Sequence, residues 1–176
     1  MNSFYKSIGL YDELIFETTM DKAEFMYILK KLIYHSNFSF FENSEYLIPK
    51  RYEYKGYLNK NEFLIMRRRH LFDMSSPNPY IRGTINDENG KTFIRMEFTP
   101  IKYSGISLIF PIIFLIIFFN IPFQGSSDMS FIVIIPIIGV INYYFTLKRN
   151  ITRGKYDFER ELNFIVQKNN MLKNTR

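Results

Sequence analysis

The sequence predicts an α+β protein: an antiparallel β-rich domain with one N-terminal and one C-terminal helix, interrupted by a two-helix transmembrane hairpin. Three observations lead to this prediction. Short alternating segments separated by turn-forming residues fill most of the first hundred positions. Two apolar runs of about 18 residues follow near the centre. The chain then ends in a basic segment with helical periodicity.

The first elements are a strand over residues 11–18, YDELIFET, and a helix over about residues 21–35. Asp21 followed three residues later by Glu24 is typical of a helix N-terminus. Apolar residues then recur at helical spacing, which indicates that the helix packs on another element. They are Phe25, Ile28, Leu29, Leu32 and Ile33.

After a connection over residues 36–50, the segment RYEYKGYLN at 51–59 alternates polar and aromatic residues and is followed by NEFLIMRRRHLF. This pattern predicts a β-hairpin with its turn at 58–61. Pro77 and Pro79 cannot donate to a strand ladder, so we expect a loop there.

A second hairpin is predicted from residues 80–86 and 91–99, because Gly90 in the turn at 87–90 can adopt positive φ. One face of its second strand is apolar apart from a threonine, and it carries Thr92, Ile94, Met96 and Phe98. A terminal helix over about 155–171 would bury Phe158, Leu162 and Ile165.

The expected organisation has three parts: a cytoplasmic α+β domain at 1–102, the hairpin at 103–147, and a basic helix at 148–176 that packs back on the first domain. The hairpin helices are predicted at about 104–123 and 129–147. One charged residue, Asp128, lies between Lys102 and Lys148. Two buried helices of a soluble protein are the alternative, but so small a chain offers little to cover them.

Charge sets the expected topology. The loop at 124–128 lacks Lys and Arg, whereas basic residues flank both runs, so the positive-inside rule places both termini in the cytoplasm. We therefore expect a multi-pass protein of the inner membrane, with no cleavable secretory signal. The residues expected at the membrane interface are Lys102, Tyr103, Tyr143, Tyr144, Lys148, Arg149 and Arg153.

The densest charge in the chain is the run Arg67, Arg68, Arg69 and His70. Neighbouring residues of a strand point to opposite faces, so the run cannot form one flat patch. It is a candidate site for anionic lipid headgroups or for a phosphorylated or nucleotide ligand. The alternative is a solvated strand whose charges protect the sheet edge.

Catalytic signatures are missing from the sequence. The chain has no cysteine and two histidines, and it contains no HExxH, GxSxG, P-loop or GxGxxG motif. We expect no metal and no cofactor, and the sequence favours a non-catalytic protein over an enzyme. Residues 1–102 carry 15 basic and 13 acidic side chains, which argues against nucleic-acid binding.

Two functions are compatible with these features. The favoured one is a hairpin-anchored binding or scaffold module on the cytoplasmic face. The alternative is a membrane-acting effector or inhibitor, in which the soluble domain senses a signal and the hairpins oligomerise. The expected partners are the lipid bilayer, anionic lipid headgroups and further copies of the chain joined through the hairpin.

Four strand and turn motifs lie within residues 52–145: Tyr54 with Gly56, residues 63–67, residues 78–83, and a turn with Gly90, Thr92 and Ile94. With these motifs the segment resembles an uncharacterised family of small bacterial membrane proteins. In that family these strand and turn motifs precede a membrane hairpin. The resemblance implies a β-rich cytoplasmic domain with a transmembrane hairpin, and it implies no activity or ligand.

Overall fold

The computed structural model describes residues 2–36, 38, 48–68, 78–88, 90–101, 109, 113, 116 and 130–174. The elements within these ranges follow one another as α1 (Asn2–Ser7), β1 (Asp12–Thr18), α2 (Lys22–Leu32), β2 (Ile33–His35), β3 (Tyr54–Leu58), β4 (Glu62–Arg67), β5 (Tyr80–Glu88), β6 (Lys91–Thr99) and α3 (Ser130–Asn174).

The strands form one six-stranded mixed sheet in the order β1-β6-β5-β4-β3-β2. Its pairs are antiparallel except for β2 and β3, which run parallel. The two predicted β-hairpins are confirmed as β3–β4 and β5–β6. Gly90, in the second turn, has a φ of +72°, as the Asn-Gly pair predicts.

The predicted first strand is also confirmed, and it pairs with β6 at one edge of the sheet. Asp21 begins α2 as predicted, because its carboxylate accepts a hydrogen bond from the Ala23 amide at 2.9 Å. The helix ends earlier than expected. Residues 33–35 leave the helix and form β2, which pairs with residues 54–56 of β3.

The predicted fold, an antiparallel β-rich domain interrupted by a two-helix transmembrane hairpin, is wrong, because the sheet is mixed and no such hairpin occurs among the described residues. In place of a second hairpin helix and a separate terminal helix, residues 130–174 form one continuous helix. This helix contains Lys148, Arg149 and Arg153, which we expected at the membrane interface. The first predicted hairpin helix, at 104–123, falls outside the described residues except at 109, 113 and 116.

Nowhere in the described ranges does a helix combine the length and the apolar character that a membrane span needs. This finding contradicts the predicted transmembrane helices and the predicted location as a multi-pass protein of the inner membrane. The sequence misled because a hydropathy pattern is local. The pattern predicted that the second transmembrane helix ends just before Lys148, although the backbone there continues as a helix into the basic segment.

The core lies between α3 and one face of the sheet. That face contributes Ile85, Ile94 and Met96, each fully buried. The face of α3 that packs on it carries apolar residues at helical spacing, which are Leu147, Ile151, Phe158, Leu162 and Ile165. The predicted burial of Phe158, Leu162 and Ile165 is therefore confirmed.

The N-terminal part of α3 differs from this packed part. It exposes large apolar side chains, namely Ile134, Ile137, Ile138, Ile141 and Phe145. Contacts with the core begin with the half-buried Val140, Tyr143 and Tyr144. The sheet therefore supports α3 from about residue 140 onward.

Candidate ligand pocket

A small polar pocket opens where the middle of α3 crosses the ends of β4 and β5. Its cavity volume is about 30 Å³, and it is lined by Tyr54, Arg67, Asn78, Pro79, Ile81, Asn150, Arg153, Gly154 and Asp157. Four of these residues come from α3 at positions 150, 153, 154 and 157. This spacing places them on one helical face, next to the apolar face that packs on the sheet.

Arg67 is the central cation of the pocket. Its Nε donates to Glu53 Oε1 and its Nη1 to Asp157 Oδ2, both at 2.8 Å. Partial burial alone would lower the pKa of Arg67, but the hydrogen bond from Arg67 to Glu53 and the nearby negative charges outweigh it and raise the pKa. The guanidinium is therefore held as a fixed positive charge between a loop and a helix.

Asp157 is surrounded by three guanidinium groups. Besides Arg67, it faces Arg153 at 3.7 Å and Arg160 at 3.8 Å, one turn before and one turn after it on α3. At these distances the two contacts are ion pairs, but they are too long to be hydrogen bonds. The side chain of Asp157 is 17% exposed, whereas those of Arg153 and Arg160 are 72% and 69% exposed. The carboxylate is thus fixed and the two arginines extend into solvent.

Tyr54 forms the inner wall of the pocket. Its ring is 2% exposed and packs edge-on against Phe158, with 5.3 Å between ring centroids. Burial raises the pKa of the Tyr54 phenol, and the charge of Glu161 raises it further. The phenol therefore stays protonated at neutral pH and can donate a hydrogen bond but cannot act as a phenolate nucleophile.

The pocket depends on the close approach of α3 to the start of β5. A Cβ atom placed on Gly154 would stand 2.6 Å from Pro79 Cγ, a distance that real Cβ atoms do not show. Nearby, Asn78 Nδ2 donates to the Arg67 carbonyl at 3.1 Å and ties the same loop to β4. Gly154 thus allows α3 to approach Pro79, and Asn78 holds the same loop against the end of β4.

The structure separates the predicted basic run. Arg67 lies in the pocket, whereas Arg68 is 8% exposed and bonds the Ile48 carbonyl through Nη1 at 2.8 Å. Its Nε has no hydrogen-bond acceptor within the part of the chain that the structure describes. Arg69 and His70 lie outside the described residues.

The predicted membrane-interface residues occupy varied positions. Tyr144 donates to the Ile8 carbonyl at 2.8 Å, and Tyr143 is half-buried against the core. Lys148 and Arg149 are exposed on α3, and Lys102 and Tyr103 lie outside the described residues. Arg153, singled out for the interface, instead lines the pocket.

Sequence reasoning missed Asn150, Gly154 and Asp157. A usable signal was present, because a polar stripe at i, i+3 and i+7 runs beside an apolar stripe that contains one glycine. A glycine in such an apolar stripe indicates close approach of another backbone or ring. No local pattern, however, indicates that this stripe faces Arg67.

No protein-family model matches this chain, and no curated protein or solved structure matches it. The resemblance to small bacterial membrane proteins therefore stays a prediction. Among the described residues, no cluster of three or more histidine and carboxylate side chains could hold a metal ion. The described residues that line the pocket carry guanidinium, carboxamide, phenol and carboxylate groups.

Proposed function

We propose that this protein is a non-catalytic binding module whose ligand site is the pocket around Arg67. The observation that carries the proposal is the convergence of two arginines, two asparagines and one carboxylate on a single concave site between the sheet and α3. Ligand sites are typically concave and contain a few convergent polar groups that fix orientation.

The character of these groups supports binding rather than catalysis. Guanidinium and carboxamide groups donate hydrogen bonds but do not serve as nucleophiles or general bases at neutral pH. Asp157, the one carboxylate among the described lining residues, already accepts a hydrogen bond from Arg67.

A thermal-shift panel on the full chain tests the proposal. Four probes represent four ligand classes: inorganic phosphate for anions, putrescine for cations, glycine for zwitterions and glucose for neutral polyols. A ligand that binds the native state raises the unfolding temperature by mass action. We expect at least one class to do so, with a shift that grows with probe concentration.

The matched variants are Asn150→Phe, which fills the pocket, and Asn163→Phe, which makes the same change on an exposed face of α3. The shift should disappear in the first variant and persist in the second. A shift that persists in Asn150→Phe, or no shift with any probe class, would overturn the proposal.

A further inference from the structure

We infer that the pocket binds the oxyanion end of a small acidic ligand, a carboxylate or a phosphate monoester. On binding, the Arg153 side chain moves from Asp157 to the ligand. This inference rests on the proposed binding function and adds the chemical class of the ligand. It follows from hydrogen-bonding capacity, charge and size at the pocket.

Among the side chains of the described lining residues, hydrogen-bond donors outnumber acceptors. Arg67 has five N–H donors in a planar fork, and the bonds to Glu53 and Asp157 use the donor on Nε and one on Nη1. Arg153 approaches Asp157 only to 3.7 Å, so this carboxylate occupies none of its donors by hydrogen bonding. A ligand rich in acceptors complements such a site, and carboxylates and phosphates carry acceptors only.

Charge favours the same class. The lining contains two guanidinium groups and one carboxylate, and Arg160 adds a third guanidinium 3.8 Å from Asp157. Glu53 bonds Arg67 and the charge of Glu161 acts on Tyr54, so the described charges around the pocket are balanced. The exposed guanidinium of Arg153, which makes no hydrogen bond to Asp157, would attract an anionic group and repel a cationic one.

Moving the Arg153 side chain from Asp157 to a ligand costs little free energy. Its pair with Asp157 is an i, i+4 contact on a helix in which the arginine is largely exposed, and such pairs contribute little to stability. An oxyanion can accept two hydrogen bonds from the Arg153 guanidinium, whereas Asp157 presents one oxygen at 3.7 Å. Asp157 keeps its bond to Arg67, so the rest of the pocket need not change.

Size limits how much of the ligand enters. A cavity of about 30 Å³ holds one or two water-sized atoms, which suits the oxygens of an oxyanion but not a whole metabolite. The remainder of the ligand would lie at the mouth, beside the exposed stem of Arg153. Both a soluble phosphate monoester and the phosphate of an acidic lipid headgroup present this chemistry.

Isothermal titration of the full chain with acetate, inorganic phosphate and glycerol 3-phosphate tests the inference. We expect Arg153→Gln to weaken oxyanion binding by about tenfold or more, because a charge-assisted contact is lost. Arg82→Gln is the matched control, since Arg82 is exposed on the opposite face of the sheet and the change in net charge is identical. Binding should also weaken as sodium chloride is raised.

A parallel arm uses vesicles of phosphatidylcholine with and without phosphatidic acid. Binding to soluble oxyanions that is lost in Arg153→Gln supports the inference with a soluble source. Binding to phosphatidic acid vesicles alone, lost in the same variant, supports it with a lipid source. Equal effects of Arg153→Gln and Arg82→Gln would overturn it.

The thermal-shift panel distinguishes a failure of this inference from a failure of the proposed binding function. If putrescine or glucose binds at the pocket and no carboxylate or phosphate probe does, the inference fails while the proposed binding function stands. If no probe binds, both fail.

Discussion

Arg67 Nη1 donates to Asp157 Oδ2 at 2.8 Å, and this bond joins the end of β4 to the middle of α3 across ninety residues of sequence. The neighbouring pair of Arg153 and Asp157 is nearly 1 Å longer and lies within one helix. One carboxylate thus makes a structural contact with one arginine and a loose contact with another. The distinction can be measured.

We expect double-mutant cycles to give different coupling energies for the two pairs. Arg67→Gln with Asp157→Asn should show a coupling of about 1 kcal/mol, because a charged hydrogen bond is lost at a partly exposed site. Arg153→Gln with Asp157→Asn should show less than about 0.5 kcal/mol. Urea unfolding of the single and double variants supplies the free energies. Equal couplings would contradict the assignment of Arg67 as the structural partner.

Two glycines of α3 should respond in opposite directions to the same substitution. Gly139→Ala adds a methyl group with no atom of the described residues within 4 Å outside its own helical turn, so the higher helix propensity of alanine should stabilise the protein by about 1 kcal/mol. Gly154→Ala places its methyl group against Pro79, and the resulting displacement should give a net loss of about 1–2 kcal/mol. Thermal unfolding of both variants provides the comparison. A gain in both would mean that α3 and the Pro79 loop separate easily.

Local patterns predicted the local elements well. The alternation predicted that Thr92, Ile94, Met96 and Phe98 share one face of a strand, and all four residues are at most 1% exposed. The strand β2 was missed because Ile33 continues the apolar spacing of α2. What extends residues 33–35 is their parallel pairing with residues 54–56, some twenty positions further along the chain.

The candidate site was predictable only in part. Arg67 was singled out for its charge, but its two carboxylate partners lie 14 and 90 residues away, and no spacing rule connects them. The predicted hairpin failed for a related reason. Hydropathy describes each segment by itself, whereas the course of α3 through residue 148 is a property of a helix that packs on the sheet beyond that point.

Phe158 should be essential for holding α3 on the sheet. Its ring is 1% exposed and contacts the rings of Tyr54 and Phe63, with centroids 5.3 and 6.3 Å away. Phe158→Ala should cost about 3–5 kcal/mol, since it leaves a cavity in the core. Phe164→Ala, two turns later on the same helix, removes a ring that is 59% exposed and should change stability by less than about 0.5 kcal/mol. Denaturant unfolding that gave similar losses for both would contradict this packing.

The far end of α3 is joined to α2 by an ion pair whose strength should depend on pH. Lys173 Nζ donates to Glu24 Oε2 at 2.7 Å. The hydrogen bond from Lys173 lowers the pKa of Glu24 below its ordinary value of 4.5, although slight burial acts in the opposite direction. A carboxyl group with a lowered pKa in the folded state stabilises the fold above its unfolded pKa, and the stabilisation is lost as pH falls through the folded value.

We therefore expect Glu24→Gln to be less stable than the wild type at pH 7, by less than about 1 kcal/mol because the pair is partly exposed. The two proteins should converge as the pH falls further below 4.5. Lys173→Gln should reproduce this profile, and the double variant should add no further loss, because all three remove the same interaction. Unfolding free energies measured across this pH range decide the matter. A difference that did not shrink as the pH fell below 4.5 would mean that Glu24 acts through packing and that its charge is not the link between α2 and α3.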